Sequence, residues 1–132
     1  MTNIGSGTKD DAWVLKTPPQ SSEFRVWRDD GQLVGMVGTT KLAYQLRCLE
    51  DLHAMLIARG GWVLLGNADE GKPVTEGSVA AWARDAANPV GGYYGLRKGY
   101  RGRFANCVPP VMMHLGLAEV EHNARGNRMR AL

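Results

Sequence analysis

"EFRVWRDDGQLVGMV", residues 23–37, has the clearest strand pattern in the first part of this chain. Phe24 and Val26 alternate with Arg25 and Trp27, which is the period of a strand with one buried face. The letters DDG that follow are typical of a hairpin turn. Two further short strands are expected in QLVGMV (32–37) and KLAYQL (41–46). The pattern therefore predicts a small antiparallel β-meander over residues 23–45.

The residues before this meander have the composition of a tail and a loop. Residues 1–11 are polar and contain glycine, and KTPPQSSE (16–23) is rich in proline and serine, which no regular element should cross. Only AWVLK (12–16) has the character of a short strand. We therefore expect residues 1–22 to form a flexible N-terminal tail and loop.

From Leu46 the hydrophobic period changes to that of a helix. Apolar residues recur three and four apart, which predicts an amphipathic helix that the two glycines at 60–61 terminate. A brief strand, WVLL (62–65), comes next. A second helix is then expected over residues 75–86, with the side chain of Thr75 as its N-cap.

The last part of the chain predicts one more helix and a hairpin. NCVPPVMMHLGL (106–117) is the third helix, and its regular part is expected at 109–115 because Pro109 biases Val108 away from helical backbone. In that position the two prolines would lie in the first turn, where amides lack helical partners. LAEVEH, NARGN and RMRAL, which together span 117–132, predict two closing strands and their turn.

Residues 46–132 thus give helix, strand, helix, basic loop, helix, strand, turn and strand, an order that resembles the winged-helix family. The resemblance implies that residues 100–115 enter a DNA groove and that EHNARGNRMR (121–130) forms the wing. The predicted fold class is α+β: an N-terminal antiparallel β-meander, then a winged-helix-like three-helix unit with a C-terminal β-hairpin. Its parts are the tail and loop (1–22), the meander (23–45) and the winged-helix-like domain (46–132).

The chain as a whole also resembles small uncharacterised bacterial proteins. The likeness lies in two stretches, NPVGGYYGLRKGYRGRF (88–104) and GLAEVEHNARGNRMRA (116–131). This second resemblance implies no function.

The positive charge of the chain is concentrated near its end. The 132 residues have a net charge of +3. Residues 1–90 hold nine Lys and Arg against eleven Asp and Glu, a balance of −2, whereas residues 91–132 hold seven against two, a balance of +5. This asymmetry favours a localised anion-binding face over a generally basic surface.

GGYYGLRKGYRGRF, residues 91–104, carries most of this charge, and we call it the basic segment. It contains no acidic residue. Bases that contact phosphates, with interleaved aromatic rings that stack on nucleobases, form an arrangement suited to nucleic acid. In the alternative, the aromatic rings fill the core and the basic side chains point into water. The candidate contacts within the segment are Arg97, Lys98, Tyr100, Arg101 and Arg103.

Two more candidates belong to the C-terminal hairpin. Arg125 lies in the expected turn and has no obvious partner, so it is the better wing residue. Arg128 is the second, although Arg128 and Arg130 would lie opposite Glu119 and Glu121 on a hairpin and could form cross-strand pairs instead.

The sequence gives no sign of catalysis, of a metal or of a cofactor. Cys107 and His114 on one helix would be separated by about 10 Å, too far for a shared zinc ion. Cys48 and Cys107 do not form a CxxC or a disulfide pattern. No apolar run approaches the roughly 20 residues of a spanning helix, and the N-terminus lacks the pattern of a secretory signal. We therefore expect no membrane association and a cytoplasmic location.

These observations favour a non-enzymatic protein that binds nucleic acid, specifically duplex DNA, through the basic segment and the C-terminal wing. The meander would pack on the rest or mediate a homodimer. A second hypothesis is a protein-interaction or accessory module whose working face contains Trp13, Trp27 and the meander. A third is an enzyme that acts on a phosphorylated or nucleic-acid substrate. Salt-sensitive binding to duplex DNA would separate the first hypothesis from the second.

Overall fold

The structure, a computed structural model, describes residues 5–132, so the first four residues of the predicted tail lie outside the described part. It is an α+β fold, as predicted. Its strands and helices are, in chain order, β1 (Trp13–Lys16), β2 (Glu23–Asp29), β3 (Gln32–Val37), β4 (Thr40–Gln45), α1 (Cys48–Arg59), β5 (Val63–Leu64), α2 (Val79–Trp82), α3 (Phe104–His114), β6 (Ala118–Val120) and β7 (Arg128–Ala131). A single turn of 3-10 helix, Arg101–Arg103, directly precedes α3.

The predicted meander is present as part of a four-stranded antiparallel sheet with the order β1-β2-β3-β4. The turn between β2 and β3 consists of Asp30 and Gly31, which have φ of 47° and 77°. Positive φ at both central residues is the geometry that matches the twist of a two-residue hairpin. The sheet begins earlier than residue 23, because the short strand expected in AWVLK is β1 and its Trp13 pairs with Val26.

Helix α1 confirms the predicted amphipathic helix. Its buried residues are Cys48, Leu49, Leu52 and Leu56. Gly60 ends it in a left-handed conformation with φ of 72°, and its N–H donates to the carbonyl of Leu56. Glycine adopts this conformation without the steric cost that a Cβ would add.

Helix α2 is much shorter than the predicted 75–86. Ser78, not Thr75, is the N-cap: its hydroxyl accepts from the Ala81 N–H at 3.1 Å and donates to the Thr75 carbonyl at 2.6 Å. At the other end the side-chain amide of Asn88 donates to the Trp82 carbonyl at 2.7 Å. Side chains therefore take up backbone groups at both ends, and local turns replace further helical turns.

Helix α3 begins earlier than the predicted 109–115, and Pro109 and Pro110 lie inside it instead of in its first turn. Each proline removes only one backbone hydrogen bond, whereas the helix buries eight side chains or rings against the rest of the protein. Tertiary packing thus outweighs the local preference of Val108 for extended backbone. The eight are Phe104, Ala105, Cys107, Val108, Pro109, Pro110, Val111 and Met112.

The predicted closing hairpin is present and belongs to a second sheet with the order β5-β7-β6. Val120 pairs with Met129 in the hairpin, and Val63 of β5 pairs with the same Met129.

Within the described residues, one cluster of buried side chains extends from Trp13 to Met129 and includes residues of both sheets and of all three helices. The division of the chain at residues 23 and 46 stays a prediction. None of the helices described is both long and apolar enough to cross a membrane.

Candidate functional site

The basic segment is fixed to the outer edge of the N-terminal sheet. The N–H of Leu96 donates to the Ala43 carbonyl at 2.7 Å, and the N–H of Gln45 donates to the Tyr94 carbonyl at 3.0 Å. Gly95 forms an isolated bridge with Tyr44 of β4. These bonds pair the free edge of β4 and hold the middle of the segment like a short additional strand.

Carboxylates that are distant in sequence compensate part of the segment's charge. They come from residues 67–72, NADEGK, which we call the acidic loop. Glu70 accepts from Arg101 Nε and, at 2.8 Å, from the Gly99 N–H. Asp69 lies 3.6 Å from Arg103 Nε, with its own side chain 69% exposed. The first contact is a tight ion pair, and the second is a loose surface contact.

Close backbone packing also holds the acidic loop in place. Gly102 is buried, and a Cβ at this position would collide with the backbone of residues 68–70. Arg84 extends from the turn after α2 and donates to the carbonyls of Ala68 at 2.9 Å and Lys72 at 3.1 Å. The loop is therefore tied to the basic segment and to the α2 region at the same time.

Two tyrosines of the basic segment are each in contact with two arginines. The ring of Tyr93 has the guanidinium carbon of Arg101 at 4.7 Å and that of Arg84 at 5.3 Å. At these distances the negative face of the ring attracts the cations. Tyr93 thereby links the segment to Arg84, the residue that holds the acidic loop.

The ring of Tyr100 carries the second pair. The guanidinium carbon of Arg97 is 4.7 Å from the ring centre and that of Arg103 is 5.6 Å from it. The ring itself is half-buried and packs against the core. In contrast, Tyr94 and Phe104 are fully buried, so for these two aromatic residues the alternative interpretation, that they fill the core, is observed.

Arg97 and Lys98 are the basic residues of the segment that have no carboxylate partner among residues 5–132. Both are exposed. Arg97 donates to the backbone carbonyl of Lys41 at 2.6 Å. For Lys98 no hydrogen bond or ion pair is found with any of residues 5–132. These cations can accept a new anionic partner without first giving up an acidic one.

The hairpin candidates separate into two kinds. Arg128 forms two bonds to the carboxylate of Glu121, at 2.9 and 2.8 Å, and lies 5.3 Å from the ring of Trp62. Arg130 bonds to Glu119 at 3.0 Å. Both of the expected cross-strand pairs are thus present. Arg125 is exposed in the turn and has no partner within the described part of the chain.

A cleft lies between the basic segment and the hairpin turn, and it consists of two adjoining cavities. The hairpin cavity has a volume of about 310 Å³ and is lined by Arg125. The sheet cavity has a volume of about 220 Å³ and is lined by Arg103. Pro19, Asn67 and Asn106 line both cavities, so the two are neighbours. The cleft connects the end of the basic segment with the turn of the hairpin.

The charge of the cleft is positive. Arg103 and Arg125 are the charged residues among those that line the two cavities, and no described lining residue is acidic. The first turn of α3 also reaches the cleft through Ala105 and Asn106, so the positive end of the helix dipole lies there. No side chain in the described part of the protein caps this helix end. The cleft therefore has the electrostatics of an anion-binding site.

The shifted pKa values support structural roles for the groups around the cleft. The hydrogen bond from Arg101 holds the pKa of Glu70 below its usual range, so this carboxylate is charged at neutral pH. Burial raises the pKa of the Cys107 thiol to about 12, which makes it a poor nucleophile. Across residues 5–132, no three His, Cys, Asp or Glu side chains group in a way that could hold a metal ion.

The structure brings some of the predicted site residues together and separates others. Arg97, Tyr100 and Arg103 form one cluster, and Arg125 lies across the cleft from Arg103. Arg101 is bound to Glu70, and Arg128 is bound to Glu121.

Sequence reasoning missed the acidic loop and the two cleft asparagines. Charge complementarity was the available signal for the loop, because NADEGK holds two adjacent acids and the basic segment holds none. No sequence signal places Asn67 next to Asn106.

Comparison with known proteins gives a family without a described activity. No curated protein matches the chain. No solved structure matches it either. The model of DUF6855, a family of unknown function, matches residues 5–132. The chain therefore belongs to the DUF6855 family.

Proposed function

We propose that this protein binds nucleic acid with the face formed by the basic segment and the hairpin turn. One observation carries the proposal: Arg103 and Arg125 line a cleft in which none of the described lining residues is acidic. Arg97 lies against the same Tyr100 ring as Arg103, and the exposed Lys98 follows Arg97 in the chain. Cations without a tightly bonded carboxylate suit a partner with regularly spaced phosphates.

The availability of these cations differs from that of the other predicted contacts. Arg97, Lys98 and Arg125 have no ion pair among the described residues, and Arg103 has a loose one. A phosphate can therefore bind them without displacing a well-bonded carboxylate. Arg101 and Arg128 are left out of the proposed contact set because each already holds a carboxylate through direct bonds.

A more specific form of the proposal is that residues 46–132 form a winged-helix-like domain and that its ligand is duplex DNA. The observed order α1, β5, α2, α3, β6, β7 supports the likeness. In this proposal the C-terminal hairpin corresponds to the wing, and Arg125 lies in its turn. Because eight of the residues of α3 are buried, we assign binding to phosphate contacts and assign no reading of base edges to this helix. We place the activity in the cytoplasm.

One residue of the interaction face suggested by the accessory-module hypothesis is buried in the structure. Trp13 is only 3% exposed and packs against His114, with 5.3 Å between ring centres. A partner protein cannot reach it without unfolding β1. Dimerisation through the N-terminal sheet stays a prediction.

The test compares two triple variants that lose the same charge. Arg97→Gln, Lys98→Gln and Arg125→Gln remove cations of the proposed face, and Lys9→Gln, Arg25→Gln and Arg59→Gln remove exposed cations outside it. Binding of fluorescent random-sequence DNA is measured by anisotropy at about 50 mM salt, where phosphate contacts are strongest. We expect the face variant to bind at least about tenfold more weakly than the control. Equal affinities of the two variants, or no binding by the wild type, would contradict the proposed function.

A further inference from the structure

The cleft offers more than charge, because its walls have the chemistry of a small-ligand pocket. The hairpin cavity, at about 310 Å³, is at the lower end of the range of roughly 300 to 1,000 Å³ that such pockets occupy. Pro18, Pro19, Leu64 and Leu65 supply apolar wall surface. A flat, mostly apolar group of the size of one heterocyclic ring system fits such a space.

Two side-chain amides border this apolar space. Asn67 and Asn106 line both cavities, and neither side chain has a hydrogen-bond partner among the residues that the structure describes. Each amide offers one carbonyl acceptor and two N–H donors. This is the donor and acceptor set that matches the edge of a nucleobase.

The third element is the pair of arginines at the two ends of the cleft. Arg125 belongs to the hairpin cavity and Arg103 to the sheet cavity, so a ligand bound between them meets a cation on each side. A nucleobase with a phosphate on either side is the repeating unit of a nucleic-acid strand. The face of the base matches the apolar wall, its edge matches the two amides, and the two phosphates match the two arginines.

We propose that the cleft holds one unpaired nucleotide of a single strand, with the base between the proline wall and Asn106 and the flanking phosphates at Arg103 and Arg125. This inference rests on the proposed binding of nucleic acid, and it names a single strand as the ligand of the cleft in place of duplex DNA. A paired base is inaccessible to such a cavity, since its faces are stacked and its pairing edge is occupied in a duplex. The strand continues along Tyr100 and Arg97, where a half-buried ring and an exposed cation follow each other.

The experiment compares a labelled oligonucleotide of about ten nucleotides with an abasic strand of the same length and charge. Loss of the base removes its stacking and edge contacts but keeps every phosphate, so we expect the wild type to prefer the base-bearing strand about tenfold. Asn106→Leu keeps the branched shape of the side chain and removes the amide, and we expect it to lower this preference several-fold without changing the affinity for the abasic strand. Asn67→Leu, on an exposed loop, provides the same test if Asn106→Leu impairs folding. Gln32→Leu, an equivalent change at an exposed position of β3, should leave the preference unchanged.

The outcomes separate this inference from the proposed function. Equal binding of the two strands by the wild type would overturn the unpaired-nucleotide site and leave nucleic-acid binding intact. A preference that survives both asparagine variants would also overturn it. No binding of either strand at about 50 mM salt would overturn both. If a free mononucleotide competes as well as the strand does, the site is a mononucleotide pocket, and the proposal that it binds a nucleotide within a strand is wrong.

Discussion

Tyr100 illustrates how single residues prepare the proposed surface for an anion. Its ring lies within 6 Å of two guanidinium groups, those of Arg97 and Arg103. Long basic side chains lose rotamer freedom when they bind a partner, which costs roughly 0.5–1.5 kcal/mol for each side chain. A ring that already restricts both arginines lowers this cost. We therefore regard Tyr100 as a support for the two cations as well as a possible stacking surface.

Asp69 is the residue whose removal should strengthen binding. It lies 3.6 Å from Arg103 and is itself 69% exposed, so a phosphate must compete with it for this guanidinium. We expect Asp69→Asn to raise the affinity for single-stranded DNA several-fold and to change the free energy of unfolding by less than about 0.5 kcal/mol. Asp29→Asn at the end of β2 removes the same charge elsewhere and serves as the control. If Asp69→Asn raises the affinity for single-stranded DNA no more than Asp29→Asn does, Arg103 does not contact the ligand.

Glu70 should make stability depend on pH in the acidic range. Its pKa in the folded state is lowered, chiefly by the hydrogen bond from Arg101, so the unfolded state binds a proton more readily. The contribution of Glu70 is therefore complete above its ordinary pKa of 4.5 and is lost as the pH falls through the lower folded value. We expect the wild type to melt at a higher temperature than Glu70→Gln at neutral pH and the difference to shrink towards about pH 3. A difference that stays constant between these pH values would argue against the ion pair.

At the scale of elements, the feature that organises the site is the docking of the acidic loop on the basic segment. Most of the two stretches lies outside regular helices and strands, yet the bonds to Glu70, the close packing at Gly102 and the Arg84 bridge fix them together. Two of the segment's four bases are thereby directed towards acidic side chains, and the other two have no carboxylate partner among residues 5–132. The loop thus determines which cations of the segment are paired with a carboxylate.

Gly102→Ala tests this docking by steric means alone. The new Cβ would collide with the backbone of the acidic loop, which cannot move aside as a flexible side chain could. We expect a loss of about 1–3 kcal/mol in the free energy of unfolding and faster amide hydrogen exchange in residues 67–72. The control is Gly61→Ala, where a Cβ meets nothing within 4 Å. If Gly102→Ala is as stable as Gly61→Ala and its acidic loop is as well protected from hydrogen exchange, the docked arrangement is wrong.

Elements whose pattern is local could be predicted from the sequence, and the others could not. The alternation around Phe24 and the turn at Gly31 set β2 and β3, and the leucine spacing with Gly60 sets α1. The bounds predicted for helices α2 and α3 were wrong, for a different reason in each helix. Ser78 and Asn88 shorten α2 through their own hydrogen bonds, and burial against the sheets keeps α3 helical across Pro109 and Pro110.

At the scale of the whole molecule, a shared core determines where the site forms. Phe104 begins α3 and is 1% exposed. Its ring lies 5.6 Å from that of Tyr44 in the first sheet and 6.2 Å from that of Trp82 in α2. The cleft arises where the loop after β1, the acidic loop, α3 and the hairpin turn meet around this core. Because these parts are far apart in sequence, composition predicted the cations but not the cavity between them.

Phe104→Ala should therefore destabilise the protein as a whole. The change leaves a cavity among rings that come from several elements, and we expect a loss of about 3–5 kcal/mol in the free energy of unfolding. Chemical denaturation followed by both tryptophan fluorescence and far-ultraviolet circular dichroism measures it. We expect the two signals to change in one common transition. A shift confined to one signal would contradict the shared core.

In the proposed binding mode Arg97, Lys98, Arg103 and Arg125 together contact the phosphates of a nucleic acid, and the salt dependence of the affinity measures these contacts. A protein that neutralises about four phosphates releases their counterions, which gives a slope of roughly −3.6 for log K against log salt on duplex DNA and about −2.8 on a single strand. We predict these slopes for the wild type and a slope close to zero when all four residues are replaced by glutamine. A wild-type slope that the four replacements leave unchanged would contradict the account.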